Sequence, residues 1–589
     1  MTRNQRSIIS RQLINVLVLL VGVLVTKHSP VAYSDQPTTL GQSRILEQMI
    51  REYSADIQSL DHRFQIILDE AAFGARRQLD ELWLERLTAI DFSELDRSSQ
   101  FDYLLLKGKL RYSIQKSDRD YRRDTQVAAR WLPFSEKLIC FLKNREDVNR
   151  IEPGNLAADL DQIANRIEAT RVVDSDAQQL TMIDRIEGIR AVELLRGLRQ
   201  SIDEADRFYS GYDPLYTWWC SKPMDRLKAA LSSYQSWLQE SVVGTAESDQ
   251  DTIIGLPIGA EALGLELEKE WIAHSPQELV DLALREMSWC EVQLRAAAAE
   301  MGFGNDWKKA LELVKSKHVP PGDQPEMIRG LALEAIQFLQ QRELITIPPL
   351  AERGWRMTMM SPERQRVSPY FLGGDTIIVS YPTDQMSHEE KMMSLRSNNR
   401  HFARATVHHE LIPGHHLQFH MLARHRTYRQ LFATPFWLEG WALHWEMLLW
   451  DLNFAQSPED RMGMLFWRKH RCARIVFSLG FHLGTMTPEQ CVEYLVDQVG
   501  HERSAATAEV RRSVMGNYGP LYQIAYMVGG QQLRKLHQEM VGSGQMPQQQ
   551  FHDAVLREHS IPIELLRDYL MGNQLDDQAL PKWRFADLQ

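Results

Sequence analysis

Apolar residues recur at three- and four-residue steps through most of this chain beyond Leu40, as at Tyr103, Leu106 and Leu110. That spacing stacks them on one face of a helix. Alternation of β-branched and polar residues is nearly absent, so the predicted fold is mainly α. Turn signals such as Glu152-Pro153-Gly154 separate the helices. The aromatic stretch from Tyr209 to Lys222, with Ser210-Gly211-Tyr212-Asp213-Pro214 followed by Trp218 and Trp219, reads as a loop or junction, with helix resuming at Pro223. Thr245 to Gly259 reads as a second loop that delivers a helix over Ala260 to Ala273. Ser275, Pro276 and Glu278 then have the order of an N-cap, a first-turn proline and a capping-box glutamate. One stretch looks like strand: between Tyr370 and Tyr381, Gly373-Gly374-Asp375 is placed to turn one short strand into Thr376 to Ser380. No internal repeat of fixed period is evident.

The first 34 residues stand apart. Arg3, Arg6 and Arg11 precede a largely apolar run from Leu13 to Val25, followed by a polar stretch ending Ala32-Tyr33-Ser34. That order predicts a secretory signal peptide cleaved after Ser34, the apolar run being shorter than the roughly 20 residues a membrane span needs. An exported chain with no stable membrane span after cleavage follows. The absence of cysteine near the cleavage point argues against a lipid anchor. Removing residues 1–34 takes away Arg3, Arg6, Arg11 and Lys27 and no carboxylate, so the formal charge of −11 becomes −15. With that acidity and no basic stretch, a nucleic-acid partner held by phosphate neutralisation is excluded. The five cysteines, Cys140, Cys220, Cys290, Cys472 and Cys491, are scattered and odd in number; they form neither a disulfide framework nor a thiolate metal site. The expected organisation is a signal segment over 1–34, an N-terminal helical region over 35–222 and a helical region over 223–589 that carries the chemistry, the last two forming one continuous body.

The chemistry is concentrated in Ala405-Thr-Val-His408-His409-Glu410-Leu411-Ile412-Pro413-Gly414-His415-His416-Leu417-Gln418, where four of the 19 histidines fall within nine residues beside a carboxylate. Two histidines four apart on a helix reach one metal, with a neighbouring glutamate facing the reacting water. Here the position four after His409 is Pro413. In an unbroken helix His415 would lie roughly 120° off the His409 face, and His416 would share that face but stand about 10 Å higher. Pro413 removes a backbone donor and Gly414 tolerates unusual dihedrals, so a break is expected here that lowers a later histidine beside His409. Thr434-Pro435 then reads as an N-cap and first-turn proline of a helix carrying Glu439, His444 and Glu446. Glu439 and Glu446 share a face, and an acidic ligand from this helix completes a two-histidine, one-carboxylate site with a coordination position left open.

These residues resemble the bacterial DUF885 family, whose signature is His-Glu-x-x-Pro-Gly-His-His followed by Glu-Gly-Trp-Ala-Leu. His409-Glu410-Leu411-Ile412-Pro413-Gly414-His415-His416 and Glu439-Gly440-Trp441-Ala442-Leu443 match both elements. The family is similar to the helical gluzincin metallopeptidases, such as thimet oligopeptidase and angiotensin-converting enzyme. That resemblance implies a Zn²⁺ site of His409, His415 and Glu439, with His416 the other candidate for the second histidine and with Glu446 or His444 orienting a ligand ring. It implies Glu410 as general base. A later Pro-Gly-Gln-Ala-Leu-x-Tyr-x-Ile-Gly element is matched in part, by Pro520, Tyr526 and Gly529, while Leu521, Tyr522 and Gln523 depart from it. Tyr526 is the first candidate to assist at the oxyanion, then Tyr522 or Tyr518. The resemblance also implies a deep cleft between helices, and an edge strand, here Thr376 to Ser380, that pairs with extended substrate.

The expected activity is therefore that of an exported zinc-dependent peptidase acting on short peptides. A non-peptidase zinc amide or ester hydrolase and a catalytically degenerate helical binding protein are the alternatives.

Overall fold

Capping residues start helices where the sequence places them. Ser275 Oγ accepts the Glu278 N–H at 3.3 Å while the Glu278 carboxylate accepts the Ser275 N–H at 2.7 Å, opening the helix Pro276–Glu300. Thr434 Oγ1 accepts the Phe436 N–H at 3.1 Å and Pro435 takes the first helical position. The computed structural model describes residues 42–173, 180–245, 252–365, 370–515 and 518–586; the expected signal segment and residues 246–251 of the second expected loop lie outside them. Among the described residues there are 23 α-helices and two short strands, so the fold is mainly α. None of the described helices is long and apolar enough to cross a membrane.

Residues Gln42–Gln589 form one compact unit. Its two ends are joined through the 35-residue helix Arg97–Trp131. Asp102 of that helix and Glu558 near the C-terminus bind opposite sides of the fully buried Arg429, at 2.7 and 2.6 Å. Four cysteines are buried and Cys140 is exposed, and none is in a disulfide.

Two readings are corrected. The stretch Tyr209 to Lys222 is helix apart from a short turn: one helix runs to Ser210 and the next, Pro214–Trp237, carries Pro223 inside it. Asp213 is the reason, because its carboxylate accepts the Leu215 and Tyr216 N–H groups at 2.9 and 3.1 Å and caps the second helix. Tyr212, Trp218 and Trp219 lie on the exposed side of this helical hairpin, with Trp218 82% exposed, while Tyr209 and Tyr216 are buried in its core.

The second correction concerns the sheet. Thr376–Val379 (β2) is a strand, but its ladder partner is Arg356–Met359 (β1), running parallel in the register Arg356 to Thr376. The hairpin expected across Gly373-Gly374 is reduced to one antiparallel bridge between Leu372 and Ile378. The buried Ile377 and Val379 of β2 join a small core with Ala403, Val407 and Leu411. That core seats the strand pair on the helix that carries His409.

Six helices frame the chemistry: α1 (Arg400–Glu410), α2 (His415–Leu422), α3 (Pro435–Asp451), α4 (Pro458–His482), α5 (Arg503–Val514) and α6 (Tyr522–His537). Trp437, Trp441 and Trp445, four residues apart on α3, are fully buried in the main core. Helices α3 and α6 cross so closely that a Cβ on Gly529 would stand 1.9 Å from the Phe436 carbonyl oxygen. Only glycine permits that approach.

Candidate metal centre

Helix α1 begins at Asn399, whose side chain accepts the His401 and Phe402 N–H groups at 2.9 and 3.1 Å. It ends at Glu410, where Leu411 leaves helical dihedrals with φ −108° and ψ −105°. The chain turns back at once: the Gly414 N–H donates to His408 O at 3.0 Å, and a Cβ on Gly414 would lie 1.8 Å from His409 O. This is the break expected at Pro413-Gly414. It starts α2 at His415 and brings the His415 ring to 4.9 Å from that of His409, centroid to centroid.

Glu439, one turn into α3, meets both imidazoles. Its Oε2 lies 3.5 Å from His409 Nε2 and 3.3 Å from His415 Nε2, and Tyr522 donates to its Oε1. The outer nitrogens of both rings are engaged elsewhere. His409 Nδ1 is 2.6 Å from Glu446 Oε1, and His415 Nδ1 is 3.0 Å from Gln418 Oε1. Each Nδ1 therefore carries the proton, and each Nε2 turns its lone pair inward. Three buried electron-pair donors thus face one another, and Glu439 Oε2 has no hydrogen-bond partner. An arrangement of that kind is stable only around a cation or a proton. The donor set fits a metal ion that takes nitrogen and oxygen ligands, and all three ligand atoms lie within 4.8 Å of one another.

Protons fill the same role where no ion is bound. Burial opposes charge on His415, but the Glu439 carboxylate outweighs it and lifts the ring to about 9. Burial likewise opposes the charge on Glu439, yet the two imidazoles hold its carboxyl well below the usual range. Glu410 differs, because burial raises its carboxyl and the charges of His409 and His415 only partly offset that.

His416 is not with this group: its two nitrogens lie 3.2 and 2.9 Å from the Gly374 and Ala351 carbonyl oxygens. His444 points away as well, its Nε2 3.1 Å from His552 Nε2, so it orients neither of the two rings, and Glu446 is the residue beside His409. The reason is helical phase: seven residues from Glu439 return to its face, whereas five do not. Tyr526 is buried with its ring stacked on that of His409 at 6.1 Å, and the Arg471 and Arg474 guanidinium groups lie over it at 4.6 and 4.4 Å. Tyr518 packs on Tyr522 at 4.3 Å, one step further from the centre.

Sequence reasoning did not single out Gln418 or Arg471, and it placed Gly373 in a turn without its contact to Glu410. Gln418 carried a signal, three residues after His415 on one helix face. Arg471, 3.5 Å from Glu446, carried none, because in Arg468-Lys469-His470-Arg471 it is indistinguishable from a solvated charge run.

Fold and site together define a mainly α protein with a buried two-histidine, one-carboxylate constellation on adjoining helices. The chain belongs to the DUF885 family, described as bacterial proteins of unknown function, which matches it over residues 51–570. Two solved structures share the fold. One is a candidate lipoprotein of unknown function from Shewanella oneidensis, 17% identical, with a TM-score of 0.65 over 89% of this chain and 99% of that one. The other is a candidate lipoprotein from Colwellia psychrerythraea, 15% identical, with a TM-score of 0.57 over 90% of this chain and 99% of that one. No curated protein matches the sequence.

Proposed function

We propose that this chain is an exported zinc-dependent peptidase acting on short peptides. The observation that carries the reading is the convergence of His409 Nε2 and His415 Nε2 on the unpartnered Glu439 Oε2, with Glu410 next to His409 in sequence. His409, His415 and Glu439 hold the ion, while Glu446 and Gln418 fix the two rings through their outer nitrogens. Zinc, when bound, supplies Lewis-acid polarisation of a carbonyl and acidifies water. Glu410 takes a proton from the attacking water on a carboxylate oxygen and gives it to the leaving amine. Its raised pKa suits both halves of that task. The Tyr526 hydroxyl assists at the developing oxyanion, since Tyr522 is committed to Glu439. Resemblance to the helical gluzincin peptidases supports the same roles, and a deep cleft of the kind they have would favour short unfolded peptides. Export is supported by the signal-like residues 1–34 and by the description of the two structural neighbours as candidate lipoproteins.

The test is to purify the chain from residue 35, measure its zinc, and compare wild type with Glu410→Gln on a peptide mixture. Zinc retained and hydrolysis lost in the variant is the expected result. A wild-type protein without zinc and without chelator-sensitive hydrolysis overturns the reading.

A further inference from the structure

Both nitrogens of His416 lie within hydrogen-bond distance of backbone carbonyl oxygens. Nε2 lies 2.9 Å from the carbonyl oxygen of Ala351, in the short helix Pro349–Gly354 that leads into β1. Nδ1 lies 3.2 Å from the carbonyl oxygen of Gly374, in the turn that leads into β2. One imidazole on α2 thus ties the entries of both strands to the helix that presents His415. The turn is closed on its other side by Leu372 and Ile378, whose N–H groups donate to each other's carbonyl oxygens at 3.1 and 2.8 Å.

What the turn rests on gives this contact its meaning. A Cβ on Gly373 would stand 2.2 Å from Glu410 Oε2 and 2.7 Å from Glu410 O, so the backbone of the turn lies directly against the Glu410 carboxylate. Among the described residues no side chain or backbone N–H donates to that carboxylate, and its position depends on what packs against it. The Cα hydrogen of glycine is the only side group that fits there.

We propose that His416 is a latch that holds the Gly373-Gly374 turn against Glu410, and so a positioning residue for the base and not a metal ligand. The functional part of this inference rests on the reading of Glu410 as the base. Without the latch the turn lifts, and the carboxylate gains rotamers in which it no longer faces His409 and His415. A displacement of about 1 Å at a reacting group can cost roughly 100-fold in rate.

The experiment uses His416→Phe, which keeps a ring and removes both nitrogens, and His416→Gln, which restores an N–H donor. Zinc content, hydrogen exchange of the Leu372 and Ile378 amides, and steady-state kinetics on a peptide mixture are measured on the whole purified chain. Zinc is expected to stay at the wild-type level in both variants. Exchange at the two amides rises on the order of tenfold in His416→Phe and less in His416→Gln. kcat falls roughly 10- to 100-fold with KM nearly constant, and His416→Gln recovers part of it. Loss of zinc in both variants makes His416 a ligand and overturns the latch, as does unchanged exchange at Leu372 and Ile378. A wild-type chain that hydrolyses no peptide removes the peptidase reading, while zinc content and exchange still decide the latch.

Discussion

Glu446 Oε1 lies 2.6 Å from His409 Nδ1, while Glu439, two helical turns earlier, faces the other nitrogen of the same ring. One helix face thereby brackets one imidazole with two buried carboxylates. Glu446 keeps its charge because, although burial works against it, Arg471 and His409 outweigh burial and hold its carboxyl low.

Glu446→Gln therefore keeps the shape and removes the charge that fixes the ring and raises its basicity. Zinc affinity is expected to fall about 10- to 100-fold. Competition against a chromogenic chelator measures it, and an affinity equal to wild type contradicts the role.

His415→Ala and His444→Gln separate the histidine expected to bind metal from one the sequence offered only to orient a ligand ring. The first removes a nitrogen that faces Glu439, so zinc content is expected to drop to background. The second removes a ring that contacts His552 and no member of the centre, so zinc content and hydrolysis stay at wild-type levels. Metal analysis of both proteins, prepared side by side, checks the pair; zinc loss in His444→Gln contradicts the assignment.

The features that could be read from the sequence are the local ones. Pro413-Gly414 announces a helix break, and Thr434-Pro435 a helix start, because both act within a turn of themselves. The pairing of Arg356–Met359 with Thr376–Val379 could not be read: four residues carry little periodicity, and a parallel partner lies far along the chain. The contacts of Gly373 with Glu410 and of Gly529 with Phe436 were hidden for the same reason, since each joins segments distant in sequence. Nothing in the sequence marks Arg429 as buried, and only the fold reveals the two carboxylates that hold it in the core. The aromatic run around Trp218 misled because exposed tryptophans on a capped helix have the composition of a loop.

Gly529→Ala tests the crossing that brings Tyr522 to Glu439. Its new methyl group would overlap the Phe436 carbonyl, so α3 and α6 must separate. A destabilisation of roughly 1–3 kcal/mol is expected from overpacking, with a lower unfolding midpoint in metal-free protein. The same separation loosens the Tyr522 bond to Glu439, so zinc affinity falls along with stability. An unfolding midpoint equal to wild type contradicts the tight crossing.

Glu564 gives a pH dependence that lies apart from the metal centre. The residue is 1% exposed, and its carboxylate accepts the Lys582 and Trp583 N–H groups at 2.9 and 3.1 Å through Oε1 and has no partner at Oε2. Burial pushes it from 4.5 up to about 7, the two backbone donors offsetting only part of that. The folded state thus holds its proton more tightly than the unfolded chain does. The stability this contributes is fully present below the unfolded pKa and is lost as pH rises from about 4.5 through about 7. Glu564→Gln keeps an oxygen for both backbone donors and cannot ionise. At pH 8 the variant is expected to be more stable than wild type by up to about 3 kcal/mol, and at pH 4 the two are expected to match. Thermal unfolding of both proteins at the two pH values measures the difference. A gap that stays constant with pH means that the Glu564 proton is not the cause.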